Sequence, residues 1–346
     1  MCIRDRLYMI GGEPITGGQI YEHLFVYVLK NISSVRVEIQ TNEKWARGVR
    51  KIIAPIVNIS LLNKVKNDDV VIFNSSKFFY WILLLPLIRL LSNKKVYVIH
   101  HHFMYMNCKW YEWPFKIMEK LLLRGANRLI IPSPFVKELV ENLKLNNSVF
   151  YLPIPFEKKL CQKSDPKEGK LLFVGTIEKR KGLKYLIDAM AFVRDAGVSC
   201  TLDVVGKVTD EMYFENLKQL VKEYRLNVIF HGFISLEQKE KLYASADIFV
   251  FPSLLEGYGM VLMEAMGYGL PIVAFHNSAM PYSVENGVNG YLADNLNSKH
   301  FAECIIRILS DRTLRAKLSK GASGIFEKAP DMNLFKELIT QEFVNK

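Results

Sequence analysis

The stretch Pro252-Ser253-Leu254-Leu255-Glu256-Gly257-Tyr258-Gly259-Met260-Val261-Leu262-Met263-Glu264-Ala265-Met266 leaves few choices for the fold around it. The run before it, Asp247 to Phe251, reads as a buried strand, which Pro252 and Ser253 end. Gly257 and Gly259 make a permissive turn. From Met260 the apolar spacing is helical, and Gly267 to Pro271 stops it. A strand, a glycine turn and a helix N-terminus form an anion site, because unpaired amides and the helix dipole both favour a phosphate. Glu256 stands on the loop and Glu264 in the second turn of the helix. Two carboxylates would repel a phosphate but suit hydroxyl donors. A sugar and a ribose flanking a diphosphate would satisfy both, which is the shape of a nucleotide sugar. The plainer alternative is a buried strand, turn and helix with two solvated glutamates.

The full string, Pro-Ser-x-x-Glu-Gly-x-Gly-x-x-x-x-Glu-Ala-Met-x-x-Gly-x-Pro-Ile-Val-Ala, resembles the signature of the retaining glycosyltransferases of family 4, the glycosyl transferases group 1. The resemblance implies an α/β chain of GT-B fold, with two doubly wound Rossmann-like domains facing a central cleft. It implies that Glu264 binds the ribose hydroxyls and that Glu256 lies against the transferred sugar. The amides of Gly257, Tyr258, Gly259 and Met260 would hold sugar and diphosphate.

The 346 residues suit two domains, and half of them are hydrophobic, enough for two cores. No apolar run reaches the ~18–20 residues of a membrane-spanning helix. The longest, Phe78 to Ile88, contains Pro86 and stops at Arg89. Cys2, Cys108, Cys161, Cys200 and Cys304 are scattered without a CxxC pair, which fits a reducing cytosol without zinc or disulfides. Residues 1–160 carry 23 Lys/Arg against 12 Asp/Glu, whereas 161–346 carry 23 of each, so the whole net charge of +11 lies in the first half. That excess reads either as solvated surface lysine or as a face for an anionic surface or acceptor. No nucleic-acid motif accompanies it, so no nucleic-acid partner is expected. Residues 1–6 look foreign, fitting neither a signal peptide nor a strand, and are set aside from the fold, with Leu7 to Ile10 as the remnant of a first strand.

In the first half, Gln19 to Lys30 reads as an amphipathic helix, with Gly17 and Gly18 just before it. A glycine pair there is either a simple turn or a place where the backbone approaches a ligand. The resemblance implies that Gly17 and Gly18 face the donor phosphates and the acceptor. Val35 to Ile39 and Val70 to Phe73 alternate as strands, and Phe78 to Leu91 is a very apolar helix, either buried or touching a membrane. Lys95 to Ile99 is the best strand of this half and runs into His100, His101 and His102. Consecutive residues point to different sides, which argues against a metal held by all three. The resemblance implies a histidine near the transferred sugar; His100 is the best match and His101 the next. Asn107 to Lys120 mixes Trp110, Tyr111, Trp113 and Phe115 with lysines, a segment for lipid, an apolar acceptor or ordinary packing. A strand from Arg128 meets Ser133, a cap for the helix Pro134 to Leu143. The polar stretch 157–169 reads as the linker.

In the second half, Lys170 to Val174 is a strand ending at Gly175, followed by Arg180 and Lys181 just before a helix from Leu183. Arginine and lysine at a helix N-terminus suit a diphosphate, the arginine bidentately and the lysine as a point charge. Similar chains carry arginine directly after the glycine, where this one has Thr176. Either that phosphate contact is lost or Arg180 supplies it beside Lys181, and the second reading is favoured here. Val228 to Gly232 is a further strand-to-glycine turn. The resemblance implies that the loop after it reads the nucleobase, with Phe233 and Ile234 as base-site residues. His231 reads as a structural histidine. Neither a P-loop nor a GxGxxG opening a helix is present.

These readings place an acceptor-side domain at 1–160, a nucleotide-sugar domain at 161–330, and a last helix at 331–346 crossing back to the first domain. The expected activity is retaining, metal-independent transfer of a hexosyl unit from a nucleoside-diphosphate sugar to an acceptor hydroxyl, in envelope polysaccharide or glycolipid synthesis. Glu256, His100, Arg180 and Lys181 would carry the chemistry, and no cofactor besides the donor is expected. A glycan or lipid-linked acceptor, the cytoplasm, and peripheral contact with the inner face of an anionic membrane complete the expectation. The alternatives are a non-catalytic sugar-nucleotide-binding subunit and a nucleotide-sugar epimerase of the same fold.

Overall fold

The computed structural model describes residues 4–8, 17–32, 38–39, 69–75, 96–103, 113–145, 148–158 and 169–344. The chain divides into one unit of residues 1–155 with 330–346 and a second of residues 156–329. The first division falls a few residues ahead of the expected one. Phe156 is buried in the second unit, stacked on Tyr258 and edge-on to Phe326. Most of the expected linker, and the segments Phe78 to Leu91 and Asn107 to Glu112, lie outside the described residues.

The first unit is built on a parallel sheet of order β2-β1-β3-β4-β5-β6. Its strands are β1 (Arg4–Tyr8), β2 (Glu38–Ile39), β3 (Asp69–Asn74), β4 (Val96–Ile99), β5 (Arg128–Ile131) and β6 (Ser148–Tyr151). Residues 4–6, set aside on sequence, are part of β1: Arg4, Asp5 and Arg6 pair with Asp69, Val70 and Val71. Ladder pairing uses main-chain groups and so tolerates their unusual side chains. The helix Gly17–Lys30 buries Tyr21, Phe25 and Leu29 at helical spacing. Ser133 caps the helix Pro134–Asn142 by accepting from the Val136 amide. The last helix, Met332–Phe343, belongs to this unit. Its Phe343 packs among Phe25, Tyr97 and Phe150, and Phe335 meets Tyr21. Its buried Glu342 accepts from the Tyr97 hydroxyl at 2.8 Å and pairs with Arg128 at 3.0 Å.

The second unit carries another parallel sheet, of order β12-β11-β10-β7-β8-β9. These strands are β7 (Lys170–Val174), β8 (Thr201–Val205), β9 (Val228–Gly232), β10 (Ile248–Phe251), β11 (Ile272–Phe275) and β12 (Gly290–Ala293). All of β10 and β11 is buried, as their unbroken apolar runs require. The helix Leu183–Asp195 buries Leu183, Leu186, Ile187, Met190 and Val193. The strand order reverses between β7 and β10. In an open parallel sheet the crevice beyond the carboxyl ends at such a reversal is where ligands bind.

Candidate active site

The loops leaving β7 and β10 are zipped together. The Leu254 amide donates to the Arg180 carbonyl at 2.9 Å. Gly182 has φ +69°, and a Cβ there would lie 1.9 Å from the Pro252 carbonyl oxygen, so only glycine permits this approach. The β7 loop continues as a tight turn, Lys179–Lys181, before its helix begins. The β10 loop ends at Gly259, φ +82°, which starts the helix Met260–Gly267 without a side-chain cap.

Lys181, Arg180 and Glu256 come together at this seam. The Lys181 ammonium is hydrogen-bonded to the Glu256 carboxylate, with both side chains nearly buried. Arg180 Nη1 lies 3.5 Å from the same oxygen and donates to the Leu255 carbonyl at 2.8 Å. Ser253 adds its hydroxyl to Glu256 Oε1 at 2.8 Å. Burial alone would raise the Glu256 carboxyl, but Lys181 and Arg180 outweigh it and hold the group below its ordinary range. Thr176 does not stand idle in the place of an arginine. Its hydroxyl and Arg180 Nη2 donate to the same Glu178 oxygen, at 3.0 and 2.6 Å, which ties Arg180 to the start of its loop.

Glu264 lies on the helix Met260–Gly267 and faces the helix Leu236–Ser245. Lys239 and Tyr243 of that helix, one turn apart on one face, both donate to Glu264 Oε2, at 2.9 and 3.0 Å. Burial, and then the neighbouring Glu264, push the Tyr243 hydroxyl well above its ordinary value, so it remains a donor. Phe233, 83% exposed, and Ile234 follow Gly232 at the end of β9. His231 is anchored to buried Asp203 at 2.7 Å, in keeping with a structural role. The Gly175 amide donates to Val205 and is therefore committed to the sheet, not to a ligand. Sequence reasoning missed Ser253, Lys239 and Tyr243. The four-residue spacing of the last two was the available signal.

In the first unit, Gly17 opens its helix and Gly18 touches a histidine. A Cβ at Gly18 would sit 3.5 Å from the His101 ring. His101 also bonds Glu22 at 2.9 Å. His100, expected near the ligand, is fully buried instead, with Nδ1 2.9 Å from the Ser75 hydroxyl and its ring against Phe103. Burial, then His102 and His101, lower its pKa from 6.5 to about 3, so it is neutral. The alternation of side chains at a strand end sends His100 inward and leaves His101 against Gly18.

A sheet reversal, two glycine-bounded loops, a cationic pair and two held carboxylates are thus gathered on the loops and helices that leave β7 and β10. Residues 156–324 match the family described as glycosyl transferases group 1. An uncharacterized glycosyltransferase of Methanocaldococcus jannaschii, MJ1607, is 32% identical over 54% of this chain and 47% of its own. The capsular polysaccharide biosynthesis glycosyltransferase CapM of Staphylococcus aureus is 27% identical over 64% of this chain and 63% of its own. The chain thus spans about half to three-fifths of the length of these relatives. Among solved structures, HepE of Anabaena in complex with UDP and glucose superposes with a TM-score of 0.76 at 18% identity, covering 99% of this chain and all of that one. The second unit belongs to the glycosyl transferases group 1 family, and the chain has the GT-B fold.

Proposed function

We propose that this chain moves a sugar, with retention, from a nucleoside-diphosphate sugar to an acceptor hydroxyl. The observation that carries the reading is the cluster of Lys181 and Arg180 on Glu256 at the carboxyl ends of β7 and β10. A donor diphosphate would take the two cations, and the freed Glu256 would accept from a hydroxyl of the transferred sugar. Lys181, Arg180 and the uncapped helix start at Gly257 to Met260 would stabilise charge on the departing diphosphate without a metal. The acceptor oxygen would bond to the anomeric carbon as its bond to the phosphate oxygen breaks on the same face. The departing phosphate would take the acceptor proton. Glu264, held on one oxygen by Lys239 and Tyr243, would offer the other to a ribose hydroxyl. Exposed Phe233 suits a nucleobase face.

CapM, named for capsular polysaccharide biosynthesis, supports an envelope-glycan acceptor, and HepE, solved with UDP, supports a uridine donor. No helix among the described residues is long and apolar enough to cross a membrane. The helix Trp113–Gly125 exposes Ile117 and Leu121 beside Lys116 and Arg124, which suits peripheral contact with an anionic bilayer and a lipid-linked acceptor.

The test is a thermal-shift panel of UDP, GDP, ADP and their glucose conjugates in EDTA. A ligand at ~100 times its dissociation constant stabilises by roughly 2.7 kcal/mol, a shift of several degrees. One base shifting the transition supports the reading and selects the donor. No shift with any of them, from folded protein, sinks it.

A further inference from the structure

Ser278 follows Asn277 in the loop after β11 and has φ +42°, a conformation that glycine adopts freely and serine does not. Its hydroxyl is engaged both as donor and as acceptor. It donates to Asn277 Oδ1 at 2.8 Å and accepts the Glu256 backbone N–H at 3.0 Å. The Asn277 amide group donates to the Ser253 carbonyl at 3.2 Å and to Asn295 Oδ1 at 2.8 Å. Ser253, fully buried, is the residue whose hydroxyl reaches the Glu256 carboxylate. Two arms therefore leave Asn277 and close on Glu256. One passes through Ser278 to its main chain, the other through Ser253 to its side chain. A strained backbone persists where the surroundings over-determine it, and such strain gathers at functional sites. Glycine at 278 would relieve the strain but would leave the Glu256 N–H without this acceptor.

We propose that Asn277 and Ser278 are positioning residues for Glu256, with serine kept at an unfavourable φ for the sake of its acceptor oxygen. The proposal rests on the reading of Glu256 as the group that faces the transferred sugar. It concerns a loop that neither the sequence pattern nor the glycine turn marks.

Two variants separate strain from positioning. Ser278→Gly relaxes φ and deletes the acceptor, while Ser278→Ala deletes the acceptor and keeps φ unfavourable. Amide hydrogen exchange in peptides spanning 254–260 is expected to quicken by ~10-fold in both, with the rest of the second unit unchanged. The melting temperature of Ser278→Gly should equal or exceed that of the wild type, and that of Ser278→Ala should fall. With the donor chosen by the thermal-shift panel, both variants should lose ~5–10-fold in kcat while the Kd of the bare nucleoside diphosphate stays within ~2-fold. Unchanged exchange in both variants overturns the proposal, as does quickened exchange with unchanged kcat. If the wild type binds no donor of the panel, the functional reading fails. The exchange result then still decides whether these two residues fix Glu256.

Discussion

The Lys181 ammonium is paired with the Glu256 carboxylate, so the cation suited to a diphosphate and the anion suited to a sugar hydroxyl neutralise each other. On the proposed function, a nucleoside diphosphate would open this pair as it binds, and opening it would free Glu256. Lys181→Ala should therefore weaken UDP binding by ~10–100-fold, the scale of a charged hydrogen bond, while leaving uridine binding unchanged. Calorimetric titration with both ligands checks it. Equal losses for UDP and uridine would place Lys181 outside the phosphate site.

Turnover should fall by roughly 100-fold in Glu256→Gln, the scale of one lost electrostatic contact in a transition state. Donor consumption measured at saturating donor is the readout. Near-normal turnover from a folded variant would show that Glu256 does not face the sugar. Its acid response has a definite sign. Lys181 and Arg180 hold the folded pKa below the ordinary value of 4.5. The stability from the pair is thus complete above 4.5 and is lost as pH falls through the lowered value. The difference in melting temperature between wild type and variant should shrink over that range.

Tyr243→Phe removes one of the two donors on Glu264 Oε2. A lost hydrogen bond of ordinary strength should weaken donor binding by ~5-fold, with kcat moving little. Because burial keeps the hydroxyl protonated, the wild-type affinity should not drop between pH 8 and the ordinary tyrosine value of 10.0 on this group's account. A kcat loss larger than the affinity loss would point to a different role for Glu264.

Burial of His100 should make the first unit acid-sensitive. Its folded pKa is about 3 against 6.5 when unfolded, so the unfolded chain binds more protons in that interval. Stability should fall by up to ~1.4 kcal/mol per pH unit as pH drops from 6.5 towards 3. His100→Gln should flatten that part of the profile in urea titrations. An unchanged slope would mean that His100 is already charged, or is hydrated, in the folded protein.

The alternation of strands and helices, the buried run before Pro252 and the glycine turn after Glu256 were readable because each is local in sequence. The loops that carry Arg180, Lys181 and Glu256, and the helix that carries Glu264, were readable for the same reason. What holds them was not readable. Ser253 was seen as the end of a strand, and Ser278 reaches Glu256 across 22 positions. The three histidines show the limit from another side. Which of them turns inward depends on the phase of β4 and on Ser75, and no spacing within the run fixes that phase. Residues 4–6, set aside on their side chains, pair with β3 through main-chain groups, which every residue but proline carries in full.

The helix Met332–Phe343 has a consequence in time as well as in space. It supplies Phe343 and Glu342 to the first unit, yet it is synthesised after the whole of the second. Until it emerges, Tyr97 and Arg128 lack the carboxylate that both of them bind. The second unit is one unbroken stretch of chain and can complete its core on the ribosome, domains generally folding as units. The first unit, although it starts earlier in the chain, therefore cannot be complete until the second has been synthesised.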